Sequence, residues 1–162
     1  RCTNNFGPRQ FPEKLIPKTI IRLIKNLKVP IYGNGEQIRS WIYVTDHVKA
    51  IDSLISKGKF GEVYNITAYE EISNISIVEK ILDLMNKSHN MIEFVLDRPG
   101  HDKRYSINSS KIEKTIDWKP KYNFDDALKE TVNWYLKNTQ WWEPLIDESV
   151  LHPQPWTLNW SK

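Results

Sequence analysis

The chain has 162 residues and a formal net charge of +3, with 23 Lys and Arg against 20 Asp and Glu. Forty per cent of the residues are hydrophobic and 27% charged, which excludes a disordered chain, and no apolar run reaches the ~18 residues of a membrane span. Cations interleave with acids, so no basic stripe for nucleic acid is seen, and the lone Cys2 leaves no internal disulfide and suits a reducing, cytoplasmic compartment.

The chain opens Arg1-Cys2-Thr3 and reads as starting inside a larger protein. Its Gly and Pro residues make "FGPRQFP" a loop. Ile16, Ile20, Leu23, Ile24 and Leu27 then form the stripe of an amphipathic helix ended by Val29-Pro30. In "PIYGNGEQIRSWIYV", Asn34-Gly35 predicts a hairpin between two short strands. Thr45 is the expected N-cap of a helix that carries Val48, Ile51 and Ile55 and closes at Gly58. Residues 62–66, "EVYNI", predict a strand. The Ser76-x-x-Glu79 spacing predicts a capping box for a helix with Ile77, Ile81, Leu84 and Met85 on its apolar face.

"MIEFVL" follows as a strand, then the donor-rich loop "DRPGHDKRYSIN", a short helix over 111–115, and a longer one over 123–135 capped by Asn123. Residues 143–162, with Pro144, Pro153 and Pro155, are expected to be irregular. The order of elements makes the chain α/β.

The chemistry lies in loops. "GNGEQI" fails as a dinucleotide fingerprint: its third position is Ile38, and no helix follows. No tyrosine is followed four residues later by lysine, and the scattered His47, His89, His101 and His152 give no zinc spacing, so neither a catalytic group nor a metal site is expected. Asn4, Asn5 and Lys14 either shape a turn or point at a ligand beyond a strand end. Arg39 either snorkels or forks around a phosphate, and Asn74 either shapes a turn or donates to an anion at a helix start. For Arg98, His101, Lys103 and Arg104, a solvated loop and an anion site both stay open.

Together, "RCTNNFGPRQFPEKLIP", "YGNGEQIRSWIYVTDHVKAI", "GEVYNI", "NISIVEKI", "DRPGHDKRYSINSSKI" and "NFDDALKETVNWYLKN" resemble the dTDP-glucose 4,6-dehydratase family of nucleotide-sugar, extended short-chain dehydrogenase/reductases, from Arg1 to about Trp142. "PEKLIP" and "RPGHDKRYSI" are its more particular motifs, while "YGNGEQIR" is shared with UDP-sugar epimerases and decarboxylases. The resemblance implies the carboxyl-terminal, substrate-binding part of such a fold: the end of a Rossmann sheet and a small α/β lobe over 1–142, with an irregular tail over 143–162.

It also implies the site. Asn4, Glu13, Lys14 and Leu15 would lie along dTDP-glucose, and Asn5 would touch the nicotinamide part of NAD. Pro30, Ile31 and Tyr32 would flank the base, and Arg39 and Asn74 would hold the diphosphate. Asp97, Arg98, Pro99, Gly100 and His101 would line the nucleotide end, with Tyr105 closing it. The family's Gly-rich NAD fingerprint, Tyr-x-x-x-Lys pair and acid–base carboxylates are not in this sequence, so this chain alone is expected to bind and not to catalyse. The whole enzyme would be an NAD-dependent hydro-lyase and a homodimer, making dTDP-4-dehydro-6-deoxyglucose for deoxysugars such as rhamnose. A UDP-sugar epimerase or decarboxylase, or a non-catalytic nucleotide-sugar-binding module, are the alternatives.

Overall fold

The computed structural model describes residues 1–158. In chain order these form β1 (Asn4–Phe6), α1 (Leu15–Ile24), β2 (Val29–Tyr32), β3 (Ile38–Tyr43), α2 (Val44–Lys57), β4 (Glu71–Ser73) and α3 (Asn74–Leu84). There follow β5 (Ile92–Val95), β6 (Arg104–Tyr105), α4 (Ser110–Ile116), α5 (Phe124–Lys137), α6 (Thr139–Trp142) and α7 (Glu148–Leu151). The last three residues of the tail expectation, with Asn159, lie outside the described residues.

Strand β3 organises the larger sheet. Its second half runs parallel to β1, with Asn4 opposite Trp41 and Phe6 opposite Tyr43. Its first half pairs antiparallel with β4 and parallel with β6, which sets Arg39 between Ile72 and Tyr105. Strand β2 pairs with β5 in a separate parallel sheet, Val29 opposite Ile92 and Tyr32 opposite Val95.

The hairpin expected at Asn34-Gly35 is therefore not formed, and the turn carries the chain from one sheet to the other. A type I′ hairpin needs positive φ at both central residues; here Gly33 and Gly35 take φ of 59° and 75°, and Asn34 does not. Gly35 is also a close approach. A Cβ there would stand 2.7 Å from Ile31 Cγ2 and 2.8 Å from Ile75 Cβ, while its carbonyl accepts the Ile75 amide at 2.9 Å.

Helix α1 buries Ile16, Ile20, Ile21 and Leu23 completely. They pack with Ile77, Val78, Ile81 and Leu82 of α3 and Ala127, Leu128, Val132 and Tyr135 of α5 in the main core, each large aliphatic side chain contributing about 1.5–3 kcal/mol. Pro17 fits the first turn, where an amide hydrogen has no helical partner. The helix stops at Asn26 and not at Val29-Pro30: Asn26 has φ of 55°, and the Leu27 amide reaches back to the Arg22 carbonyl at 2.8 Å. Leu27 thus leaves the stripe and is 40% exposed.

The capping box is displaced by three residues. Ser73 is the N-cap of α3 and accepts the Ser76 amide at 3.3 Å, and Asn74 is already helical. Asn123 caps α5 as expected, accepting the Asp125 amide at 2.9 Å.

Helix α2 starts at Val44 without a side-chain cap, so Thr45 is inside it. The apolar residues named on it face outward: Val48, Ile51 and Ile55 are 59%, 43% and 81% exposed. The opposite side is the packed one, where Ala50 joins Ile42, Tyr64, Ile66, Ile112, Ile116 and Trp118 in a second cluster. Asp46, 2% exposed, fastens that side by accepting the Lys121 and Tyr122 amides at 2.9 Å each. The strand expected over 62–66 is reduced to one parallel bridge, Ile66 to Cys2.

The tail is more ordered than expected. Just before it, Trp142 enters the main core and donates its indole N–H to the Tyr135 carbonyl at 2.9 Å. Helix α7 then lies against α1, where Lys18 and Arg22 donate to the His152 and Leu151 carbonyls.

Candidate functional site

A cleft of about 590 Å³ opens where these layers meet. Asn4 of β1, the Gln10–Lys14 loop, the first turns of α1, strand β2, Arg39 and Trp41 of β3, the start of α3, the 98–101 loop and Trp156 of the tail all line it. Its position follows from the strand pattern. Side chains alternate along a strand, so Asn4 joins the cleft while Asn5 turns to the other side of β1, where its Oδ1 meets His47 Nδ1 and its amide donates to the Thr3 carbonyl at 3.1 Å. Burial lowers the His47 pKa.

The loop before α1 is fixed from behind. Tyr135 donates its hydroxyl to the Gln10 carbonyl, and Gln10 Nε2 donates to the Asn5 carbonyl at 2.7 Å. The core helix α5 thereby sets where Glu13 and Lys14 stand. These two pair with each other at 2.6 Å.

The lining is cationic. Lys14, Lys18, Arg39 and Arg98 are on it beside the His101 ring, with Glu13 the one carboxylate among the described lining residues. Arg39 is 7% exposed. Its Nη1 and Nη2 donate to the Ile38 and Asp102 carbonyls at 2.7 and 2.8 Å, so the fork is held by backbone while the remaining N–H groups can take an anion. Burial lowers its pKa, with Asp102 opposing and Arg98 reinforcing.

The 97–101 turn has an internal frame. Asp97 accepts His101 Nδ1 at 2.7 Å, the Arg98 amide at 2.8 Å and Gln37 Nε2 at 2.9 Å. Partial burial works against its ionisation, but these hydrogen bonds outweigh it and hold the carboxyl below its ordinary value. Gly100, with φ of 66°, supplies the left-handed bend that folds His101 back toward Tyr32, whose ring lies 6.3 Å away. Burial raises the Tyr32 pKa, which keeps its hydroxyl protonated.

Of the residues expected to bind, the cleft gathers Asn4, Glu13, Lys14, Leu15, Pro30, Ile31, Tyr32, Arg39, Asn74, Arg98 and His101. It does not gather Asn5, Asp97, Pro99, Gly100 or Tyr105. Asp97 supports the wall by orienting His101, and Pro99 and Gly100 form the exposed outside of that turn. Tyr105 sits in β6 with its backbone beside Arg39 and is 42% exposed, so it closes nothing here. The backbone at the start of α3 is also less available than a bare helix terminus: the Asn74 and Ile75 amides donate to the Gln37 and Gly35 carbonyls, while the Asn74 side chain lines the cleft.

Lys18, Gln10, Thr19, Trp41 and Trp156 line the cleft without having been singled out in the sequence. One signal was available for Lys18, which repeats Lys14 one turn later and, with Arg22, interrupts the apolar run of the helix. Lys18 is 6% exposed, and burial together with Arg22 pulls its pKa to about 8 against the opposing Glu13. Trp156 has no such signal; it is brought in by the tail and meets Tyr32 edge to face, 4.5 Å between centroids.

Comparison with known proteins places the chain. The family model described as GDP-mannose 4,6 dehydratase matches residues 1–131. Over 147 residues the chain is 46% identical to dTDP-glucose 4,6-dehydratase 1 of Escherichia coli K12, covering 86% of this chain and 41% of that one. The crystal structure of dTDP-glucose 4,6-dehydratase from Bacillus anthracis, in complex with NAD, superposes with a TM-score of 0.86 at 49% identity, over 90% of this chain and 46% of that one. UDP-glucose 4-epimerase from Thermotoga maritima, with UDP-glucose, gives 0.81 at 25% identity over 86% and 45%. The chain thus spans less than half the length of the proteins it matches.

Proposed function

The chain belongs to the GDP-mannose 4,6 dehydratase family, and from that premise we propose that it is the nucleotide-sugar-binding part of a dTDP-glucose 4,6-dehydratase. Its α/β fold is that of the carboxyl-terminal part of the extended short-chain dehydrogenase/reductases. The observation that carries the reading is the convergence of Arg39, Asn74, Arg98 and His101 on one cationic cleft, a donor set suited to a nucleoside diphosphate. The identity of 49% to a dTDP-glucose dehydratase, against 25% to a UDP-glucose epimerase, supports the thymidine nucleotide over the uridine one.

In this reading residues 1–142 form the binding unit, and 143–162 are a tail laid over it. Asn4, Glu13, Lys14 and Leu15 run along the hexose, and Pro30, Ile31 and Tyr32 flank the base. Arg39 and Asn74 hold the diphosphate, and the 97–101 turn, with Asp97, Pro99 and Gly100 as its frame, lines the nucleotide end. Tyr105 reaches the ligand only by a shift of β6.

NAD, when bound, supplies the oxidation and re-reduction of the sugar across which water is lost. Asn5 is the residue here assigned to it by the resemblance; its half-buried amide lies on the side of β1 away from the cleft and is held by Thr3 and His47. What this chain's own residues do is anchor and orient: contacts at the diphosphate fix the hexose and so lower the entropic part of the barrier. The whole enzyme acts in the cytoplasm as a homodimer, and no proton-transfer residue is assigned within this chain. No helix among the described residues is long and apolar enough to cross a membrane.

Calorimetric titration with dTDP, UDP and NAD tests this. Binding of dTDP ahead of UDP, with NAD silent and Arg39→Ala weakening dTDP about ten- to hundredfold, is expected. Equal affinity for UDP would return the chain to the epimerase branch.

A further inference from the structure

Helix α1 carries two buried cations one turn apart, Lys18 and Arg22, 6% and 7% exposed. Neither has a carboxylate within ion-pair distance among the described residues. Both donate instead to consecutive carbonyls of the tail: Lys18 Nζ to His152 at 2.5 Å, and Arg22 Nη1 to Leu151, while Arg22 Nε also holds the Lys28 carbonyl. Burying two like charges side by side is costly, and a helix wanting only a packed face would place aliphatic side chains there. The carbonyls belong to the end of α7, where helical C=O groups lack intrahelical partners.

The residues beyond are stiff. Pro153 and Pro155 fix φ on either side of Gln154, whose amide bonds His152 Nδ1 at 3.1 Å and whose side chain reaches the Leu96 carbonyl at 3.3 Å. A single 3-10 turn, Pro155–Thr157, then sets Trp156 against Tyr32 at an interplanar angle of 89°. A point held at His152 therefore determines where Trp156 stands.

We propose that Lys18 is a positioning residue for the nucleoside end of the cleft, acting through the tail: by holding the His152 carbonyl it keeps Trp156 against Tyr32, where the indole forms a wall for a bound nucleoside diphosphate. The inference rests on the nucleotide reading of the cleft given above. It assigns Lys18 no contact with the ligand, and it makes the tail part of the site.

The test is a double-mutant cycle on dTDP affinity in the full chain, by calorimetry, with melting temperature measured in parallel. Lys18→Met keeps the length of the side chain and removes a desolvated charge, so folding is retained and the melting temperature does not fall with the affinity. Trp156→Ala weakens dTDP about three- to tenfold, the scale of one aromatic contact, and Lys18→Met weakens it comparably. The double variant is no weaker than Trp156→Ala alone, because Lys18 acts through Trp156. Lys18→Arg, which keeps a donor, restores most of the affinity.

Additive losses in the double variant would mean that Lys18 touches the nucleotide itself and would overturn the inference. So would Lys18→Met leaving dTDP binding unchanged while the wild-type chain binds. A wild-type chain that ignores dTDP would instead remove the nucleotide reading, and this inference with it.

Discussion

Two apolar helix faces behave differently in this molecule. On α1, the stripe of Ile16, Ile20 and Leu23 has no exposed surface. On α2, the stripe of Val48, Ile51 and Ile55 is open to solvent, although Ala50 on the far side of the same helix is fully buried. Periodicity alone treats the two stripes alike, because the hydrophobic pattern reports that a face is apolar and says nothing of what covers it. The difference lies in the neighbours: α1 is flanked by α3 and α5, whereas among the described residues α2 packs on β1, β3 and α4 and leaves Val48, Ile51 and Ile55 open. The cleft is built from the covered region, so the rigid layer positions the binding groups and the open face is free of that duty.

The comparison breaks most visibly at Trp142. This side chain is 1% exposed in the covered core and hydrogen-bonded to Tyr135, whose hydroxyl holds the Gln10 loop. Trp142→Ala is expected to cost about 3–5 kcal/mol, read as the shift in the midpoint of urea denaturation. A loss below about 1 kcal/mol would mean that Trp142 is not part of the core.

Lys18 sharpens the same contrast through pH. Its pKa of about 8 in the folded chain lies below the ordinary 10.5. Between those values the unfolded chain binds more protons, so stability rises as pH increases from about 8 to about 10.5. The full rise is about 3 kcal/mol for this group. It should be missing from Lys18→Met, and the quantity to measure is the difference between the two denaturation curves across that window. A parallel pair of curves would place the ammonium in water.

Much of this was legible where the cause is local. Helix α5 announces itself by Asn123 and the acids behind it, and β5 by a short apolar run. The assignments of Arg39, Asn74, Arg98 and His101 came from the resemblance alone, since composition favours a solvated loop for the 98–101 turn; the structure does bring all four to one cleft. What escaped depends on distant partners. Strands β4 and β6 are three and two residues long and exist only because β3 lies between them. The Asn34-Gly35 turn reads as a hairpin until β2 finds β5, where Val29 pairs with Ile92 and Tyr32 with Val95. Trp156 is carried to the cleft by a tail whose α7 end is held on α1.

Ile55 gives the smallest expected effect and the cleanest check on the open face. It is 81% exposed on α2, so Ile55→Ser removes no packed contact, and the intrinsic helix preference of the two residues is similar. The expected change in stability is within about 0.5 kcal/mol. Solubility should rise instead, because a contiguous apolar stripe promotes association. The paired measurement is chemical denaturation together with light scattering at increasing concentration. A loss above about 1 kcal/mol would show that the stripe is covered in solution, by a second copy of the chain or by a rearranged segment, and the contrast with α1 would then disappear. An unchanged midpoint with reduced scattering would keep the two faces distinct, with one serving the fold and the other left over from it.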